Sequence, residues 1–365
     1  MYIKKLKLKN YRNYNEIEIN LDPKINIIYG NNAEGKTNLL ESIFLCSSTK
    51  SHRNCSEKEI IKFNENEAHI KLFFCKKEEK TDVIDIQLNK ESKKGIAVNG
   101  VKTEKIKEFI GFFTTVMFAP EDLNIIREGP AVRRKFIDIE LCQIDKIYLS
   151  FLIQYNKILN ERNCLLKNIK ETYGQNKNDL INLIDAYDEE LIKNGLEIIN
   201  RRKRNIEEIA KKIYDLYNNI TNKKEKVIVS YEMSNISKEK LLETREEDIK
   251  NGWTKIGPHH DDISFKIDEI DLRKFGSQGQ KKTVAICLKL AELENIKEKT
   301  NETPILLLDD VFSELDEERQ KLLIENIKGI QTIITCTGMK RNIFDLLKPN
   351  KIFKVQNNTV VEINP

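Results

Sequence analysis

The 365-residue chain contains no apolar run near the ~18 residues needed to span a bilayer. Its opening stretch, "MYIKKLKLKNYRNY", lacks the apolar core of a signal peptide. Seven cysteines, at 46, 55, 75, 142, 164, 287 and 336, include no C-x-x-C pair. Zinc sites and disulfide frameworks are therefore not expected, and a reducing, cytoplasmic setting is. There is no internal repeat, no low-complexity linker, no aromatic stacking platform and no groove-reading motif. Neither charge sign dominates: 62 basic residues stand against 58 acidic ones, a net +4. That balance describes a solvated surface and by itself names no partner. What the chain does have is a 39% hydrophobic fraction and a length suited to two domains, or to one domain with a large insertion.

Hydrophobic period divides the chain into three parts. "EIEINL" (16–21), "HIKLFF" (69–74) and "DVIDIQL" (82–88) alternate with period two, and "GIAVNGVK" (95–102) carries an Asn-Gly turn signal. Such strands predict an antiparallel layer with one solvated face. "KINIIYG" (24–30) is mostly apolar, as a buried central strand should be. From Arg133 to about Ile220 the apolar steps become 4 and 3, with Arg162 and Arg202 as the polar intruders. This spacing predicts two long antiparallel helices broken at "TYGQNKND" (172–179), each about 40 residues or roughly 60 Å. Strand and helix patterns alternate again after 225, and "KIFKVQNNTVVEI" (351–363) reads as a terminal hairpin. The expected division is a strand-rich head from 1–125 and 251–365 with a helical lobe, 126–250, inserted between.

Gly30-Asn31-Asn32-Ala33-Glu34-Gly35-Lys36-Thr37 matches G-x-x-x-x-G-K-[ST], after an apolar strand and at the start of a helix. That context lets backbone N–H groups and the helix N-terminus face phosphates, with Lys36 on the β/γ-phosphates and Thr37 on Mg²⁺. The metal-binding acid belongs at the end of a second apolar strand. "ILLLDD" supplies Asp309, with Asp310 beside it, 309 − 36 = 273 residues after Lys36. The simplest architecture is one head folded from both chain ends. "FGSQGQKK" (275–282) contributes Ser277, Gln278, Gly279 and Gln280, and "SELD" contributes Ser313 and Asp316. In ABC-type ATPases, which this order resembles, such an S-x-G-Q stretch completes the nucleotide site of a second subunit.

Beyond these motifs, "LKNYRNY" (8–14), "TKSHR" (49–53), "FAPEDLNIIREGPAVRRKFID" (118–138), "GPHHDD" (257–262), "LLLDDVFSELD" (306–316) and "ITCTG" (334–338) resemble the RecF family of recombination mediators, relatives of SMC-type heads. The resemblance runs along most of the chain. It implies an α/β P-loop ABC-type head, a mixed central sheet plus an antiparallel β layer, with an inserted helical arm. It also implies ATP and Mg²⁺ as cofactors, an ATP-dependent homodimer, weak ATPase activity used as a switch, and DNA as partner. RecR, RecO and RecA loading in recombinational repair, replication-fork maintenance and the SOS response would follow. Asp310 stands where related ATPases carry a catalytic Glu; being one methylene shorter, it predicts modest turnover. Arg12 and Asn13 are expected at the nucleotide, Ser277 and Gly279 in the partner's site, and Asp316 between the two sites. His260 departs from the family's usual Arg, so an anion contact there would be weaker or pH-dependent.

DNA contacts are less visible. Candidates are Lys4, Lys5, Lys7 and Lys9, then His52-Arg53, Arg133-Arg134-Lys135 and Arg201-Arg202-Lys203-Arg204, each of which could equally be a solvated helix face. Two rival functions are an ABC transporter ATPase subunit and a stand-alone small-molecule kinase. The first predicts a switch His where "TCT" stands; the second gives GSQG nothing to do.

Overall fold

The computed structural model describes every residue except 54, 77–79, 173–175, 222–223, 339–340 and 364–365, and at 176–179 and 341–343 only the backbone. Fifteen strands are described, β1 (Tyr2–Tyr11), β2 (Tyr14–Asn20), β3 (Ile25–Tyr29), β4 (Glu67–Cys75), β5 (Thr81–Asn89), β6 (Gly95–Val98), β7 (Val101–Lys102) and β8 (Thr115–Phe118) coming first. After them come β9 (Val227–Glu232), β10 (Asp262–Ile267), β11 (Ile270–Asp271), β12 (Ile305–Asp309), β13 (Thr332–Cys336), β14 (Lys351–Gln356) and β15 (Thr359–Ile363).

The chain forms two compact units. The first comprises 1–123, 216–223 and 278–365; the second comprises 124–215 and 224–277. The first unit holds two six-stranded sheets. One, ordered β2-β1-β4-β5-β6-β7, is wholly antiparallel. Its strands bury alternate residues, as the period-two pattern demands. The β6–β7 turn places Asn99 and Gly100 at φ 52° and 80°, the type I′ geometry that an Asn-Gly pair favours. The other sheet is ordered β15-β14-β3-β13-β12-β8, parallel apart from the β14–β15 hairpin. β8, β12 and β13 are buried at every residue, as strands covered on both faces must be. β3 pairs with β13 and β14, so strands from the two ends of the chain are hydrogen-bonded neighbours. The helix Lys36–Ser48 lies between the sheets, touching β4 on one side and β8, β12 and β13 on the other. It is therefore buried almost all round.

The second unit corrects the expected helical lobe in three respects. The first long helix is two, Pro130–Ile144 and Lys146–Glu171. Asp145 separates them: its side chain accepts from the N–H groups of Ile147 and Tyr148, both at 2.9 Å, and starts the second helix. A short carboxylate caps better than it sits mid-helix. The partner helix Asn176–Thr221 runs 46 residues, roughly 70 Å. Its pairing is antiparallel, with Arg162 meeting Asp188 while Arg202 meets Tyr148. Part of the expected break at 172–179 lies outside the described residues. Second, the unit contains a three-stranded antiparallel sheet, β11-β10-β9. Third, that pairing carries residues 251–277 into this unit, so the expected boundary at 250 is not where the compact units divide.

Buried charge organises this unit. Arg162, fully buried, donates to Asp188 (2.7 Å), Asp248 (2.8 Å) and the Thr254 hydroxyl (2.8 Å). Arg245 adds a second donor to Asp188 (2.9 Å). Leu165, Leu166, Ile169 and Ile184 pack beside this cluster along the helix pair.

Candidate functional site

The phosphate loop links β3 to the helix Lys36–Ser48. Two glycines there are compulsory. A β-carbon on Gly30 would lie 2.5 Å from the Val355 carbonyl oxygen, and one on Gly35, at φ +107°, would lie 2.4 Å from Asn13 Nδ2. The β14 backbone and the β1–β2 turn therefore form walls of the loop. Lys36, nearly buried, donates to the carbonyls of Gly30 (2.8 Å) and Asn31 (2.7 Å). The Glu34 carboxylate accepts from the Asn31 N–H (3.0 Å), bracing the loop from within.

The separation of 273 residues is closed here. Thr37 Oγ1 donates to Asp309 Oδ1 at 2.9 Å. Thr335, on the strand between β3 and β12, donates to the same oxygen at 2.6 Å. Burial raises the Asp309 carboxyl above the usual carboxylate range, opposed by these two hydrogen bonds and by the charge of Arg53. Next to it Asp310 adopts φ +51° and donates its N–H to Thr335. Asp310 Oδ1 is buried without a hydrogen-bond partner among the described residues. Two hard oxygens, one on a desolvated carboxylate, suit Mg²⁺, which keeps most of its coordination for water and phosphate. An orphaned carboxylate oxygen beside them suits a reacting water.

The expected nucleotide contacts separate. Asn13 sits on the loop, donating to the Glu34 carbonyl (2.9 Å) and accepting from Asn38 (2.8 Å). It also reaches Asn358 in the β14–β15 turn (2.6 Å). Arg12 turns instead to Glu41, a fully buried carboxylate, with bonds of 2.8 and 2.6 Å. Glu41 also accepts from Tyr11 (3.2 Å) and Ser51 (2.5 Å), so it fastens the segment that leads to Arg53. Arg53 donates to Asn38 on the loop helix (3.1 Å). The structure thus draws this candidate DNA residue to the nucleotide end, while His52 rests edge-on against Phe44.

Gln278 opens the helix Gln278–Thr300, with Ser277 exposed immediately before it. Asp316 caps the helix Glu317–Asn326 and pairs with Arg319. Arg319 in turn donates to the Gly279 carbonyl (2.9 Å) and to Thr283 (2.8 Å). Asp316 is thereby tied to the first turn of the signature helix, while Ser313 bonds the Asp310 carbonyl (2.6 Å). Arg319 was not singled out from sequence, although its i,i+3 spacing from Asp316 signals the pair. Glu41 and Thr335 lacked even that signal.

Most remaining basic candidates are already engaged. Lys5 and Lys7 both pair with Glu18. Arg133, almost buried, forks onto Asp262 (2.6 and 2.9 Å). Arg134 donates to the Asp261 carbonyl (2.7 Å). Arg201 pairs with Asp145, and buried Arg202 binds Asp138 (2.7 Å), Tyr148 (2.9 Å) and the Pro258 carbonyl (2.7 Å). Of "RRKR", only Lys203 and Arg204 are exposed.

Comparison with known proteins gives the family. The RecF/RecN/SMC N terminal domain family matches residues 2–361. The DNA replication and repair protein RecF of Lachnospira eligens is 47% identical, over 100% of both chains. That of Agathobacter rectalis is 45% identical, over 97% of each. A solved structure of the recombination mediator protein RecF with ATP, in the RecFOR pathway, is 36% identical at a TM-score of 0.91, over 100% of this chain and 98% of that one. An Smc head domain from Pyrococcus furiosus shares the fold at 16% identity, a TM-score of 0.55 and coverage of 100% and 96%. The chain belongs to the RecF family.

Proposed function

We propose that this chain is an ATP-gated DNA-binding protein of recombinational repair and replication-fork maintenance, a recombination mediator. The observation that carries the reading is Thr37 joined to Asp309 beneath the phosphate loop, with the orphaned oxygen of Asp310 alongside. Residues 30–37 bind the triphosphate, and Thr37 and Asp309 would hold Mg²⁺. That ion, when bound, would supply positive charge against the phosphates. Asp310 orients a water and takes its proton as the oxygen attacks the γ-phosphorus and ADP leaves. Its short side chain makes that step slow, so ATP acts as a switch. Ser277, with Gln278, Gly279 and Gln280, closes over the partner's γ-phosphate, and Asp316, held to the signature helix through Arg319, helps couple the two sites. Membership of the RecF family supports DNA as partner, RecR and RecO as co-factors in the pathway, RecA loading as outcome and the cytoplasm as location. It does not favour a transporter subunit, and no helix among the described residues is long and apolar enough to cross a membrane.

The test is sedimentation with ATP and Mg²⁺. Wild type should dimerise with ATP and not with ADP. Ser277→Arg should bind ATP within about twofold of wild type yet stay monomeric and lose turnover. A Ser277→Arg protein that still turns over at the wild-type rate would remove the composite site.

A further inference from the structure

We infer that Trp253 and His260 form a stacking site for unpaired nucleobases on the second compact unit. The inference rests on the DNA-binding reading above and adds to it a place and a kind of strand. Trp253 is 43% exposed, and its ring centroid lies 5.8 Å from that of exposed His260, the two planes inclined at 45°. His259 stands behind His260 at 4.3 Å.

Both rings are mounted rigidly. Gly252, at φ +75°, ends the helix Lys238–Asn251, and the N–H groups of Gly252 and Trp253 both bond the Asp248 carbonyl (2.7 and 3.3 Å). The two histidines meet the Thr254 carbonyl through Nε2, at 3.0 and 3.2 Å. Thr254 is itself buried and bonded to Asn163 and Arg162. The entropy of ordering the rings is therefore lost on folding, and little remains to be lost on binding. Cations adjoin them. Lys167 and Lys250 are exposed and make no ion pair among the described residues, and the Lys167 stem would lie 3.0 Å from a β-carbon on Gly252. Lys255 is paired with Glu247.

Exposed rings beside uncompensated lysines are what a single strand needs: a face for the base and charge for its backbone. A duplex hides its base faces except at ends, gaps and openings. The site should therefore choose single-stranded over intact duplex, without regard to sequence.

The chain has one tryptophan, so its emission reports this place alone. Oligo-dT added to the full-length protein, with and without ATP and Mg²⁺, should quench it. Trp253→Ala should weaken oligo-dT binding about 5- to 150-fold, and Trp253→Phe should restore most of the loss. Blunt-duplex affinity and ATP binding should change less than twofold. Oligo-dT that binds, by anisotropy, with emission and Trp253→Ala affinity unchanged would overturn the site and leave the rings to a protein partner. Equal loss on duplex and single strand would overturn it as well. A wild-type protein that binds no DNA would sink the DNA-binding reading itself, a distinguishable result.

Discussion

Two regions of this molecule bury charge in quantity. Around Arg162 in the second unit, guanidinium and carboxylates meet one another: Asp188 takes donors from Arg162 and Arg245, and Asp248 from Arg162 and the Lys255 N–H. At the phosphate loop in the first unit, the carboxylate of Asp309 has two hydroxyl donors and Asp310 Oδ1 has none among the described residues. One cluster is closed in charge, each carboxylate facing a guanidinium, although Arg162 Nη2 and Arg245 Nε keep no hydrogen-bond partner among the described residues; the other leaves its carboxylates without an ion pair there. An incomplete cluster costs stability and is kept because a ligand completes it; a closed cluster specifies packing. The same distinction sorts the arginines. Arg162 and Arg202, prominent in sequence as intruders in an apolar seam, are structural.

The largest effect should come from Arg162→Ala, which strands Asp248 without its guanidinium and leaves Asp188 with Arg245 alone; urea unfolding should show a loss of about 3–5 kcal/mol. A loss below about 1 kcal/mol would mean that the closed cluster does not hold the unit together.

Next in size is a pH effect at His259. Burial lowers it from 6.5 to about 4, helped by the charges of His260, Arg134 and Arg162, while the Thr254 carbonyl opposes the shift and Tyr155 bonds its other nitrogen. Above pH 6.5 neither the folded nor the unfolded chain protonates this ring, so its full contribution is present. As pH falls from 6.5 to 4 the unfolded chain binds a proton that the fold refuses, and about 3 kcal/mol is lost. His259→Gln should flatten that limb of the stability profile; an unchanged slope would assign it to other groups.

The smallest effect on stability should be Asp309→Asn, within about 1 kcal/mol, because an amide oxygen still accepts from Thr37 and Thr335. The same change should abolish the Mg²⁺ dependence of ATP binding, so that EDTA weakens wild type and leaves the variant as it is. A strongly destabilised Asp309→Asn would place this cluster with the closed kind.

Sequence legibility follows the same line. Gly30 to Thr37, "ILLLDD" and "GSQG" stand out because a nucleotide fixes their residue types and spacing, and the alternating strands announce the antiparallel sheet. β8 did not stand out, since four buried residues carry no period. The break at Asp145 did not stand out, because the apolar steps run across it from Ile144 to Tyr148 and only its cap marks the new helix. Arg53 could not be separated from a DNA cluster, because its partner Asn38 lies fifteen residues upstream on another element. Trp253 and His260 are seven residues apart with a buried Thr between them, and only the turn brings the rings together.

The close approach of Gly30 to Val355 bears on how the chain matures on the ribosome. β3 gains its neighbours only when 332–354 have been made, and the loop gains its wall only with residue 355. At about 5–20 residues per second, a nascent phosphate loop waits roughly 15–65 s for them. Until then its apolar strand has no sheet to join, so the growing chain should need shelter from a chaperone and should hold no ATP before release.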